Sequence, residues 1–299
     1  MGLENHQLGR TAQYMAATRA LASELPEPIF TDRYARAFAT EAGIGYLKAF
    51  AAATTAPGAT AEEQVTSLIK SAAVRVRFFD DVLRDALNQG ITQFVLPGVG
   101  GDSRTHRLDL PASCTVYELD LPDVMEYRQS VFAEDTHSVC THFMVGCDMA
   151  KDDWVSILKD KGFNPEIPTL FLAEGLCMYI QDGGRELFAK AHSIMASGSV
   201  LAFDSMNKPG VDGEMMGPMM RAWRTHVGEG VVGHMSCPET VLSGIGYSGV
   251  EVTELAEAGL KHGYTSEGSI EFFLKMHPRD PTCEDDGIPR NLFVVANVE

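Results

Sequence analysis

From residue 93 onward the chain alternates short apolar runs with amphipathic stretches. Gln93–Pro97 (QFVLP), Thr115–Asp120 (TVYELD), Thr141–Asp148 (THFMVGCD), Thr169–Glu174 (TLFLAE) and Ser199–Asp204 (SVLAFD) read as five strands. Helical patterns over Pro122–Glu134, Asp152–Lys161 and Gly184–Ala196 separate them. Strands alternating with helices build βαβ units, whose strands lie parallel in one sheet. Near-continuous apolar strands belong to a sheet that helices cover on both faces.

The chain before residue 93 reads as helical. Thr11–Ala22 is Ala-rich with apolar residues at helical spacing, and Pro26 and Pro28 end it. Asp32–Phe38 predicts a short helix and Ala51–Thr60 (AAATTAPGAT) a flexible connection. Glu62–Asn88 predicts a long helix, or two joined ones, stopped by Gly90. After the fifth strand, Met206–Gly233 breaks the alternation with many Gly and Met residues, and predicts an inserted, mobile helical lid. Val250–Leu255 reads as a strand or a helix start. Ile270–Met276 and Asn291–Val298 (NLFVVANV) read as a closing hairpin, with Asp280–Arg290 a polar loop between them. The expected layout is one α/β domain over 1–299: a helical cap (1–90), a core (91–205), the lid (206–235) and a C-terminal part (236–299).

Composition narrows the partners. Lys and Arg number 24 against 41 Asp and Glu, a formal charge of −17, which opposes unaided binding to nucleic acid or anionic membranes. No apolar run approaches the roughly 20 residues of a membrane span. The opening MGLENHQLGR has no apolar signal core, so the expected location is the cytoplasm. The six cysteines form no CxxC pair, and reduced thiols without a metal are expected. His137 and His142 flank Cys140, but an odd spacing on a strand points them to opposite faces. A homo-oligomeric state stays open.

In an open α/β sheet, ligands bind beyond the carboxyl ends of the strands, where the strand order switches. The first strand ends in Gly98-Val99-Gly100-Gly101-Asp102, whose glycines let backbone turn sharply and approach a ligand. The second ends in Glu118-Leu119-Asp120, about 20 residues past the glycines, where an acid reaches ribose hydroxyls in nucleotide-binding folds. The third ends in Asp148 and the fourth in Glu174-Gly175. A pyrophosphate dinucleotide prefers helix N–H groups and basic residues. S-adenosylmethionine carries no phosphate, and carboxylates suit its ribose, its amine and its adenine N–H groups. One cation would suit its carboxylate, and Arg75 or Arg77 lies just before the first strand.

The order of several motifs adds to this reading. They are Arg75-Val76-Arg77-Phe78-Phe79-Asp80-Asp81, Leu96–Arg104 (LPGVGGDSR) with Arg107-Leu108, Tyr117–Pro122 (YELDLP), Gly146-Cys147-Asp148 and Leu172–Tyr179 (LAEGLCMY). With the early Asp32-Arg33-Tyr34, this set resembles the leucine carboxyl methyltransferase family over most of residues 15–205. That family includes bacterial and fungal small-molecule O-methyltransferases, some of polyketide biosynthesis. The resemblance implies a class I methyltransferase-like Rossmann fold and S-adenosyl-L-methionine as cofactor. It implies that Arg75 holds the cofactor carboxylate, that Gly98 and Gly100 underlie its methionine part, and that Asp120 binds the ribose. Asp148, with Met149, would contact adenine, and Glu174 would stand near the methionine amine. Pro97, Gly101 and Ser103 depart from the family's usual aliphatic residue, larger apolar residue and Thr, without removing an implied contact.

The expected activity is methyl transfer to a carboxylate or hydroxyl of a small molecule, in secondary metabolism. A hydroxyl acceptor would gain from a base, for which His226, His234 or His106 are candidates. Tyr179 is a candidate to orient the acceptor, and Met216, Met220 and Trp223 of the lid are candidates to contact it. One alternative is methylation of a protein C-terminal carboxylate. Another is a nicotinamide-dependent oxidoreductase, although no Ser-Tyr-x-x-x-Lys arrangement is present. A non-catalytic binding protein is a fourth reading, which the intact set of site residues disfavours.

Overall fold

Three helices come first in the computed structural model, which describes residues 7–135, 138–228, 230–281 and 286–299. They are α1 (Gln7–Ser23), α2 (Ala35–Thr54) and α3 (Ala61–Asn88). Asp32 starts α2 by accepting the N–H groups of Tyr34 and Ala35, each at 3.0 Å. Helix α2 runs far past the expected Phe38, broken only at Thr40 (φ 52°), and takes in the run Ala51–Thr54. The predicted connection at 51–60 therefore shrinks to 55–60, because consecutive alanines favour helix. A capping box starts α3: Thr60 Oγ1 accepts from Glu63 N at 3.2 Å, and Thr60 N–H donates to Glu63 Oε2 at 2.7 Å.

Strands and helices then alternate as β1 (Gln93–Pro97), α4 (Arg104–Arg107), β2 (Thr115–Asp120), α5 (Pro122–Val131), β3 (Thr141–Gly146), α6 (Trp154–Asp160), β4 (Thr169–Ala173), α7 (Arg185–His192) and β5 (Val200–Met206). There follow α8 (Lys208–Asp212), α9 (Gly217–His226), α10 (Pro238–Ile245), β6 (Ser248–Glu254), α11 (Leu255–Leu260) and β7 (Asn291–Asn297). The sheet order is β3-β2-β1-β4-β5-β7-β6. The first five strands are parallel, and β7 lies antiparallel between β5 and β6. Alternate residues serve opposite faces. Val95, Phe171 and Phe203 enter one core, whereas Phe94, Leu170 and Ala202 enter the other. The order switches between β1 and β4, which opens a crevice at their carboxyl ends.

Two features correct the expected closing hairpin. The partner of β7 is Ser248–Glu254, and Ile270–Met276 is a π-helical turn rather than a strand. Ser266 accepts from Ser269 N at 3.1 Å at the start of that helical stretch, and Glu271 pairs with Lys275 at 2.9 Å, a helical spacing. In β6, Val250 and Val252 alternate with Glu251 and Thr253, the period of a half-covered strand. The segment after β5 folds onto the cap. Trp223 of α9 meets the rings of Tyr14 and Phe50 edge to face, at 5.2 and 5.5 Å. Among the described residues no helix is long and apolar enough to cross a membrane. His137 and Cys283 lie outside the described residues.

Candidate active site

The crevice at the order switch holds a cavity of about 700 Å³, which α1 helps to line through Thr11, Ala12, Met15 and Arg19. Arg75, Gly98, Gly100, Asp120, Asp148, Met149 and Glu174 all reach it, although α3 and four different strand ends carry them. Its floor is the loop after β1. Pro97 has no N–H to give, and Gly98 donates instead to Leu119 O at 2.7 Å. Gly98 and Gly100 hold φ of 65° and 49°, a region that favours glycine. A Cβ on Gly98 would also come within 2.8 Å of Leu176 Cδ1. Asp120 pins the loop: its Oδ2 accepts from Gly100 N at 2.7 Å and its Oδ1 from Leu121 N at 2.8 Å. Burial raises the Asp120 pKa even so, outweighing those two hydrogen bonds.

A charge network forms one wall. Glu174 Oε1 accepts from Arg75 Nε at 3.0 Å, and Glu174 Oε2 accepts from Arg104 Nη2. Burial alone would raise the Glu174 pKa, but Arg104 and Arg75 outweigh it and hold it down at about 2. Arg75 Nη1 also donates to Asp204 Oδ2 at 3.3 Å, and Gly175 N donates to Asp204 Oδ1 at 2.5 Å. Asp204 is pushed up, since its burial exceeds what Arg75 restores. Arg104 Nε lies 3.0 Å from Asp102 Oδ2. Arg104 Nη1 is buried and has no hydrogen-bond partner among the described residues. Arg104 and Asp204 are the members of this wall that sequence reasoning did not single out. Arg104 stands in the quoted LPGVGGDSR segment and Asp204 ends the fifth apolar run, so both positions were in view without a role.

Asp148 sits in the turn after β3, where it accepts from Lys151 Nζ at 2.6 Å and Ala150 N at 3.1 Å. Tyr179 lines the cavity too, bonded to the Thr11 side chain, and burial raises its phenol to about 12. The remaining candidates lie elsewhere. Met220 is buried with Met206, Val211 and Val231, and Met178, Tyr179, Met216 and Trp223 pack around this group. Among the described residues, Met216, Met220, Trp223, His226 and His234 are not part of the cavity lining. His106 lies behind the loop, 2.6 Å from Asp135 and stacked on Phe132, and burial lowers its pKa.

The family model described as leucine carboxyl methyltransferase matches residues 12–190, from α1 through α7. The chain belongs to the leucine carboxyl methyltransferase family. A protein of Mycolicibacterium smegmatis (strain ATCC 700084 / mc(2)155), by name an S-adenosyl-L-methionine-dependent methyltransferase, is 31% identical over 266 residues, covering 86% of this chain and 88% of its own. A protein of the same name from Mycolicibacterium gilvum (strain PYR-GCK) is 32% identical over 231 residues, 73% of this chain and 75% of its own. A solved structure of a methyltransferase from Thermobifida fusca YX shares the fold, with a TM-score of 0.50 at 16% identity over 96% of this chain and 94% of its own. This member of the family is thus a methyltransferase with the class I sheet.

Proposed function

We propose that the chain transfers the methyl group of S-adenosyl-L-methionine to an oxygen of a small molecule, and that this oxygen belongs to a carboxylate. The cavity fits such a donor. Arg75 and Arg104 bring positive charge to its carboxylate, and Glu174 offers a fixed negative charge to its ammonium. The bare backbone of Gly98 and Gly100 admits the methionine part, Asp120 faces the ribose, and Asp148 with Met149 meets the adenine. The bound donor supplies a sulfonium methyl that is already activated. The chain has only to hold the acceptor oxygen in line and exclude water.

The lining carries the choice of acceptor. Among the described residues no histidine lines the cavity. Its carboxylates are taken up by the donor (Asp120, Asp148, Glu174), by Arg104 (Asp102), by the N–H groups at the start of α7 (Asp182) or by Lys190 (Glu186). The Tyr179 phenol at about 12 stays protonated near neutral pH. Tyr179 can donate a hydrogen bond to an acceptor but cannot take its proton. A carboxylate is ionised at pH 7 and needs no base, whereas an alcohol or a neutral phenol does. Tyr179 lines the cavity and packs against the methionine cluster, so Met216, Met220 and Trp223 act on an apolar acceptor group held at Tyr179 through that ring rather than by lining the cavity themselves. Small acyl compounds of secondary metabolism have this form.

The test uses donor with a labelled methyl group and a panel of aliphatic and aromatic carboxylic acids, phenols, alcohols and a peptide with a free C-terminal leucine. Methyl esters release methanol in alkali, and methyl ethers do not. Label that alkali releases, found with small carboxylic acids, is the expected result. Alkali-stable product from phenols would contradict it, and transfer to the peptide alone would move the acceptor to a protein C-terminus.

A further inference from the structure

We infer that Arg128, set by Glu118, is a positioning residue for the methyl donor: it holds the carbonyl side of the glycine loop whose N–H side Asp120 holds. The inference rests on the reading of the cavity as the donor site. Glu118 and Asp120 are two apart on β2 and so share a face of the sheet. Asp120 reaches the loop directly, through Gly100 N. Glu118 reaches it through Arg128, which stands on α5, the helix that follows the strand. Arg128 Nη2 donates to Glu118 Oε2 at 2.5 Å, and Nη1 donates to Gly100 O at 2.9 Å and to Asp102 O at 2.6 Å. The peptide groups on either side of the Gly100 Cα are therefore tied to two acids of one strand, one by its N–H and one by its C=O.

The supporting contacts leave this fork little freedom. Glu118 Oε1 accepts from Thr105 Oγ1 at 2.8 Å, and His142 Nε2 lies 2.9 Å from Glu118 Oε2. The rings of Phe132 and Phe38 lie 5.4 and 5.8 Å from the guanidinium carbon of Arg128. Neither Glu118 nor Arg128 exposes any surface, and neither lines the cavity. Removing both charges from water is costly, and a buried pair of this kind adds little net stability over an apolar pair of the same volume. Its geometry accounts for its presence better. Two loop carbonyls need a donor behind them, and a planar fork supplies two directed N–H groups where an ammonium supplies a point charge. With the carbonyls held, the loop keeps the glycine conformation that bares its backbone to the cavity.

Calorimetric binding of S-adenosylhomocysteine tests this in full-length variants, with donor KM and kcat measured on whichever compound of the panel above the wild-type chain methylates. Arg128→Ala should weaken binding about tenfold or more, the scale of lost hydrogen bonds to a charged group. Guanidinium ion, at a concentration that leaves wild-type affinity unchanged, should recover much of that loss. Arg128→Lys, which keeps the charge opposite Glu118 without the fork, should raise the donor KM with kcat at saturating donor nearly unchanged. It carries the test alone if Arg128→Ala does not fold. Unchanged affinity and donor KM, or a kcat that falls in place of a rising KM, overturns the inference. Asp120→Ala is the control: if it also binds S-adenosylhomocysteine normally, the donor-site reading fails rather than the role of Arg128.

Discussion

Glu174 is the residue on which most of the site's charge converges. Two arginines fix it as an anion at the wall proposed to face the donor's ammonium, and their pull overrides its burial. Its folded pKa, about 2, lies below the ordinary 4.5, so its contribution to stability is complete above 4.5 and is lost as pH falls toward 2. Glu174→Gln should therefore be less stable than wild type at neutral pH, with the gap narrowing between about pH 4.5 and about pH 2. Urea melts across that range measure it, and a gap independent of pH would show that Glu174 is not held as an anion. Asp204 works in the opposite sense, because its raised pKa favours the protonated form, so the comparison is between variants rather than absolute stabilities. The acids at strand ends were legible in the sequence because a strand's end is visible in its apolar run. Their partners were not: Arg75 meets Asp204 across 129 positions and Arg104 meets Glu174 across 70, and no local pattern encodes such a pairing.

At the scale of elements, the segment after β5 is fastened to the loop that carries Tyr179. Val232 N and Gly233 N both donate to Met178 O, at 2.9 and 3.0 Å, and Met235 N donates to Met206 O at 2.9 Å. The contact is backbone on backbone. A Cβ on Gly233 would sit 1.9 Å from Ile180 O, and one on Gly183 would sit 2.2 Å from His234 O. Gly233→Ala should destabilise the fold by roughly 1–3 kcal/mol, the range of a forced backbone shift, and thermal melting reads it directly. An unchanged melting temperature would mean that the two segments do not interlock. The same scale shows why the closing hairpin was misread. Asn291–Asn297 was recognisable by its unbroken apolar run, whereas its partner shows only two valines alternating with polar residues. Ile270–Met276 is richer in apolar residues, but Ser266 starts a helical turn before it. Apolar content alone did not separate the two, and the period did.

The whole molecule is strongly acidic, with a formal charge of −17, yet three arginines line its cavity. The five parallel strands were readable because each is an apolar run between helical stretches, and their order places Asp102, Asp120, Asp148 and Glu174 at one crevice. The roof was not readable. Helix α1 looks like any Ala-rich helix, and its Thr11, Met15 and Arg19 gain their meaning only from the loop they cover; Arg19 Nη2 donates to Gly101 O at 2.6 Å. On the proposed reading, this roofed crevice takes a phosphate-free sulfonium donor and not a dinucleotide. Calorimetric titration of the wild-type chain with S-adenosylhomocysteine, and separately with NAD, tests it most directly. One S-adenosylhomocysteine per chain should bind with a Kd on the order of micromolar, and NAD should give no heat. Silence from S-adenosylhomocysteine, or saturable binding of NAD, would contradict it.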